Sequence, residues 1–215
     1  MEKKFEFKGL TIYQHPEVYE PAEDTFLLID VLDIKPDDFV FEIGTGTGII
    51  GLYCVMIGAD VICSDINPYA IELTKRNFLV NQNLLKGNFE VRIGSFFSVL
   101  DKYEKFDKII FNPPYLPTKP RDIVGGSGWF DKAVNGGVDG LLKTQKFIKH
   151  LSKYLKKEGA GYFLFSSLSD RKKLDYIISK AGLNLEILLS RNFDDEQLDI
   201  CKVIKKNKKR YLSRS

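Results

Sequence analysis

The chain has 215 residues, a 44% apolar and 28% charged composition, and a formal net charge of +3. Those proportions fit one large globular domain and exclude global disorder or a collagen-like repeat. The near-neutral charge gives nucleic-acid binding little support, and no apolar run reaches the roughly 20 residues a membrane helix needs.

The opening residues, Met1 to Phe5, carry charge but no apolar stretch with a cleavage site, so they do not read as a secretory signal. A helical pattern follows from Pro21 to Leu32, with proline leading and Glu23 and Asp24 in the first turn. Strands are then predicted at 39–43, 60–64, 89–93 and 108–111, with helices at 47–57 and 68–82 between them. Pro68 opens the second of these helices. The segment 113–139 is rich in Pro and Gly and reads as a long functional loop. A helix over 139–156, a strand over 159–165, a helix over 170–180 closed by Gly182, and strands over 184–189 and 198–204 complete the series. Alternation of this kind predicts an α/β fold: a mostly parallel sheet with helices on both faces. The whole of 1–215 is expected to be a single domain, with 1–37 as an N-terminal segment and 202–215 as a basic tail.

Cys54, Cys63 and Cys201 form no C-x-x-C pair, and the chain has only two histidines, His15 and His150. A reducing, cytoplasmic setting is expected, and a zinc site in this chain is not. A G-x-S-x-G nucleophile elbow is also missing.

Two motifs carry chemistry. The first is Glu42-Ile-Gly44-Thr-Gly46-Thr-Gly48 at a strand-to-helix turn, where glycine lets a ligand approach the backbone. Gly46, Gly48 and Gly51 also satisfy a dinucleotide pattern, so a nicotinamide enzyme stays open on the glycines alone. The acids decide between them. Glu42 ends the strand before the turn, and Asp65 ends the next strand about 20 residues on, where ribose hydroxyls are held. Two carboxylates suit a ligand with a sugar and positive charge, such as S-adenosylmethionine, better than a pyrophosphate. The second motif is Asn112-Pro113-Pro114-Tyr115, directly after a strand. The Asn112 side-chain oxygen and the Pro113 carbonyl are two acceptors that match the two donors of a planar –NH2 group. Tyr115 offers a π face to the same group. The pair predicts methyl transfer to a planar nitrogen, driven by positioning and with no dedicated general base.

These motifs, with Val18-Tyr-Glu-Pro-Ala-Glu-Asp-Thr25, Asp65-Ile-Asn-Pro68, Gly136-Gly137 and the ending around Ser190, Arg191, Glu196 and Leu198, resemble the archaeal and eukaryotic branch of the HemK-type glutamine methyltransferases. The resemblance covers nearly the whole chain. It implies a Rossmann-like class I methyltransferase fold, with a seven-stranded sheet whose last strand is antiparallel. It also implies S-adenosylmethionine-dependent N5-methylation of the glutamine in the Gly-Gly-Gln motif of a translation release factor. A small zinc-binding activator subunit is the implied partner. Carried over by residue, Thr25 contacts the cofactor, Glu42 and Gly44 hold its methionine end, with Gly46 and Gly48 in the same turn, and Asp65 holds the ribose. Asn112 to Tyr115 take the substrate amide, Asn112 also bordering the cofactor. Ser95-Phe96 stand where the family has an acid and an apolar residue against the adenine. Serine keeps a hydrogen bond but not the charge, an expected loss of roughly 1 kcal/mol in affinity. The rival reading is an amino-methyltransferase of adenine in RNA or DNA, since that amino group presents the same two donors. A flipped base usually needs extra basic surface, and here only the loop and the tail could supply it.

Overall fold

The computed structural model describes residues 2–118 and 128–206. Gly125, Gly126 and most of the basic tail lie outside the described residues.

The first element is one that hydropathy did not signal, a hairpin of β1 (Lys4–Phe7) and β2 (Leu10–Tyr13). Lys8 and Gly9 join its strands with φ of 49° and 85°, the two positive values that a tight hairpin turn requires. After it come α1 (Glu23–Asp30), β3 (Phe39–Ile43), α2 (Ile49–Ile57), β4 (Asp60–Asp65), α3 (Pro68–Val80) and β5 (Phe89–Ile93). Next are β6 (Phe106–Phe111), α4 (Trp129–Val134), α5 (Leu142–Tyr154), β7 (Leu155–Ser166), α6 (Arg171–Lys180), β8 (Leu183–Asn192) and β9 (Gln197–Lys205).

The main sheet has seven strands in the order β5-β4-β3-β6-β7-β9-β8. All pairings from β5 to β7 are parallel, and β9 runs antiparallel to both of its neighbours. Successive residues on the central strands point to opposite faces. Val40, Val61, Ile110, Tyr162 and Leu164 join a core with α1 and α2 on one side. Phe41, Ile62, Ile109, Phe163 and Phe165 join a second core with α5 and α6 on the other. Both faces are covered, so the strands read as nearly continuous apolar runs. Each fully buried side chain of this size contributes about 1.5–3 kcal/mol.

Most element boundaries move by one to four residues from the sequence reading, and three differences have a structural reason. α5 starts at Leu142 rather than 139, because the turn around Gly140 (φ 70°) needs a left-handed residue. β7 starts at Leu155, since the pairing with β6 shifts register between Phe106 and Lys108 and admits extra residues. The long loop contains the short helix α4, held back against the 112–118 segment by a bridge between Leu116 and Asn135. Among the described residues no helix is long and apolar enough to cross a membrane.

Candidate active site

From β3 the chain steps outward through β4 to β5, then returns across β3 to β6. Ligand clefts of open α/β sheets form where the order reverses, at the carboxyl ends of the strands. A cleft opens there, with about 1270 Å³ of empty space counting its open mouth. Thr25, Glu42, Gly44, Gly46, Asp65, Ser95, Phe96 and Asn112 to Tyr115 all line it. Gly48 is the one expected site residue that does not. Its φ is 82°, and a Cβ there would stand 2.8 Å from Thr74 Cγ2. Glycine at 48 therefore serves the close packing of the α2 start against α3.

Glu42 is 2% exposed. Its Oε2 accepts from Thr45 Oγ1 (2.7 Å), Gly51 N (3.1 Å) and Cys63 Sγ (3.3 Å), whereas Oε1 takes none of these bonds. Burial, with a smaller push from Asp65, raises its pKa to about 7 against the pull of those bonds. Asp65 Oδ2 accepts from Gly46 N (3.0 Å) and Oδ1 from Asn67 N (2.9 Å), so it ties the glycine turn to the end of β4. Burial raises its pKa too, against the backbone bonds. Among the described residues no cation contributes to either shift. Two desolvated carboxylates without a counter-charge are costly unless a positive ligand completes the site.

Ser95 is exposed and precedes a 3-10 turn over Phe96–Val99. Phe96 has a φ of 49°, an uncommon value for a bulky residue, and its ring meets Phe111 edge-on at 5.4 Å between centroids. β5 is thus followed by a strained corner that sets Phe96 in the cleft lining.

At the end of β6, Asn112 Nδ2 donates to Asp24 Oδ2 (3.0 Å) and Thr25 Oγ1 (3.2 Å). Asn112 Oδ1 is buried and has no partner. The Pro113 carbonyl beside it accepts no hydrogen bond among the described residues. Gly136 explains part of the motif's setting, because a Cβ there would lie 2.8 Å from the carbonyl oxygens of Pro114 and Leu116. Its N–H donates to Leu116 O (3.1 Å), which pins the segment after Tyr115.

Other cleft residues had no motif to announce them. Thr47 Oγ1 is buried and unpartnered, and Trp129, Lys132 and Lys143 also line the cleft. Burial lowers the Lys143 pKa, with Lys146 and Lys132 adding to the effect. Asp24 was visible as a first-turn acid and as part of the Val18 to Thr25 run, but with no role assigned to it. The cysteines are free and buried.

The family model for the methyltransferase small domain matches residues 9–126. A protein of Methanocaldococcus jannaschii that carries the name of a protein N5-glutamine methyltransferase is 42% identical over 188 residues, covering 85% of this chain and 89% of that protein. Human methyltransferase HEMK2 is 30% identical, over 88% of this chain and 90% of its own. Among solved structures, the Encephalitozoon cuniculi Mtq2-Trm112 complex, described as responsible for methylating the eRF1 translation termination factor, has a chain that superposes with a TM-score of 0.66 at 24% identity. The match spans 88% of this chain and 99% of that one, and shows a shared fold.

Proposed function

The chain belongs to the methyltransferase small domain family, in the archaeal and eukaryotic branch of the HemK-type glutamine N5-methyltransferases, and we propose that it methylates the glutamine of the Gly-Gly-Gln motif in a translation termination factor with S-adenosylmethionine as donor. One observation carries the reading: a buried, unpartnered acceptor, Asn112 Oδ1, beside a Pro113 carbonyl that accepts no hydrogen bond among the described residues, in a cleft bordered by two acids that no described cation pairs with. The residues present fit the cofactor. Oε1 of Glu42 suits its ammonium, Asp65 its ribose, and Phe96 with Ser95 its adenine. Gly44 and Gly46 admit the ligand to the turn, Gly48 holds that turn against α3, and Thr25 and Asn112 border the methyl end.

When bound, S-adenosylmethionine supplies a methyl group on a positively charged sulfur that departs with the bonding electrons. Asn112 Oδ1 and the Pro113 carbonyl take the two N–H donors of the substrate amide. They thereby hold its plane and favour the change from planar to tetrahedral nitrogen. Pro114 turns the chain out of the sheet and presents the Tyr115 ring to the amide and its developing charge. Afterwards one N–H proton passes to water, which requires no base from the protein.

We read the chain as one domain working in the cytoplasm beside a small zinc-binding activator subunit. The outer edge of β5 has no strand partner among the described residues. Phe89 and Ile93 on β5, with Leu79 of α3 and Leu84 in the connection between them, are exposed apolar side chains of the kind a partner covers. The test is incubation with labelled S-adenosylmethionine, release factor and total RNA, with and without the activator subunit. Mass spectrometry of the Gly-Gly-Gln peptide then reads the outcome. One added methyl group on that glutamine is expected, whereas label in RNA alone would transfer the function to nucleic-acid amino groups.

A further inference from the structure

We propose that Asp24 is the positioning residue of the Asn112 acceptor, its carboxylate locking the side-chain amide so that oxygen, not nitrogen, faces the substrate. The catalytic consequence rests on the methyl-transfer reading above; the geometry does not.

An asparagine amide is nearly symmetrical in shape, but its two ends do opposite things: one only accepts and the other only donates. A substrate –NH2 group needs the oxygen. With nitrogen toward the cleft, donor would meet donor. The preference must come from behind the amide, where Asp24 Oδ2 lies 3.0 Å from Asn112 Nδ2. An ionised carboxylate can only accept, so turning the amide over would set oxygen against oxygen. Loss of a charge-assisted bond alone disfavours that orientation by on the order of 10- to 100-fold.

Asp24 is itself held. Its Oδ1 accepts from Thr25 N (2.6 Å) and Thr25 Oγ1 (3.2 Å), and Tyr19 OH lies 3.3 Å from both carboxylate oxygens. Thr25 Oγ1 donates to Asp24 and accepts from Asn112, which closes a three-residue ring. Stabilising the start of α1 does not account for the residue. Glu23 already provides an acid in that turn and is exposed, whereas Asp24 is 4% exposed, and no described Lys or Arg pairs with it. Burying a carboxylate without a cation is expensive, and of the bonds that offset the cost the one from Asn112 is the long-range side-chain bond, the others coming from Thr25 and Tyr19 close by in the chain. The charge also reaches the cleft: the Tyr19 and Tyr115 phenols are pushed up, by burial first and by Asp24 next. That field lies one side-chain amide away from the nitrogen that becomes positive as it gains a fourth bond.

The test uses the full chain with its activator subunit and a Gly-Gly-Gln peptide, comparing wild type with Asp24→Asn. The variant keeps the shape, but Thr25 N and Oγ1 donate to the Oδ1 side and claim its one oxygen, so its –NH2 faces Asn112 and favours the turned-over amide. Its kcat is expected to fall roughly 10- to 100-fold, with peptide KM and cofactor Kd within about threefold. The side-chain amide ¹⁵N–¹H signals of Asn112, identified by their loss in Asn112→Ala, are expected to shift and to exchange faster with water. Unchanged turnover, a loss of cofactor affinity as large as the loss of kcat, or unmoved Asn112 signals would each overturn the proposal. A wild type that methylates no glutamine would instead remove the proposed function, and the amide signals would still decide the Asp24–Asn112 contact.

Discussion

Replacing Glu42 with glutamine is expected to stabilise the unliganded protein at about pH 8 and to weaken its hold on the cofactor. In the folded chain the Glu42 carboxyl titrates at about 7, against an ordinary 4.5, chiefly because it is buried. A raised acid pKa means that the folded state binds the proton more tightly than the unfolded state. Its contribution to stability is therefore complete below about pH 4.5, falls as pH rises, and levels off above about 7. At 1.36 kcal/mol per unit, the ionised residue costs roughly 3 kcal/mol at the top of that window. Glutamine removes the charge and can still accept from Thr45 and Gly51. Urea melts should show the variant more stable by up to that amount at pH 8, with the gap closing near pH 4.5. Cofactor binding reverses the balance, because a cation beside Glu42 favours the carboxylate. Calorimetry near pH 6.5, in buffers of different ionisation enthalpy, should detect proton release on binding to wild type and none with the variant. A variant no more stable at pH 8, or a gap independent of pH, would refute the assignment of Glu42 as a desolvated acid awaiting a cation.

Asn112→Ala removes the acceptor without touching the Glu42 or Asp65 carboxylate, so kcat should drop on the order of 100-fold or more while cofactor Kd, measured by calorimetry, changes little. Ser95→Asp restores charge at an exposed position with ordinary backbone (φ −103°), and should tighten cofactor binding about fivefold in the same assay. Gly51→Ala would place a Cβ 2.5 Å from Cys63 Sγ and 2.8 Å from Glu42 Oε2. It should cost about 1–3 kcal/mol in a urea melt and lower cofactor affinity as Glu42 is displaced.

What the sequence made legible follows from where its residues break a local rule. An acid at the end of an apolar strand, as at Glu42 and Asp65, or two prolines cutting a strand short after Asn112, is visible without coordinates because burial or pairing ought to forbid it. The N-terminal hairpin broke no rule and stayed hidden. Its strands are four residues long and mix Lys4, Glu6 and Thr11 with the apolar positions. The support for β2 comes from α3, where Asn77 and Asn81 bond to the backbone N–H and C=O of Tyr13 and Thr11 in place of a further strand. Two asparagines four apart on a helix carry no strand signal, and their partners lie 64 and 70 residues away.

Asp24 is the same case with chemical consequences. Within α1 it satisfies the helix dipole, and that local account hides the contact 88 residues away that gives it a second use. Gly48 errs in the other direction: it sits in a ligand-binding pattern, yet its empty side is filled by Thr74 rather than opening on the cleft. Motif spacing thus identifies the strand ends that meet at a switch point. Which atom of each residue faces the ligand depends on the bonds made behind it. For Glu42 the Thr45, Gly51 and Cys63 bonds occupy Oε2, and for Asn112 the Asp24 bond occupies Nδ2. In both residues the atom left over is the one the proposed reaction would use: an oxygen for an ammonium and an oxygen for an amide N–H. The orienting partners belong to the site as much as the motif residues they aim.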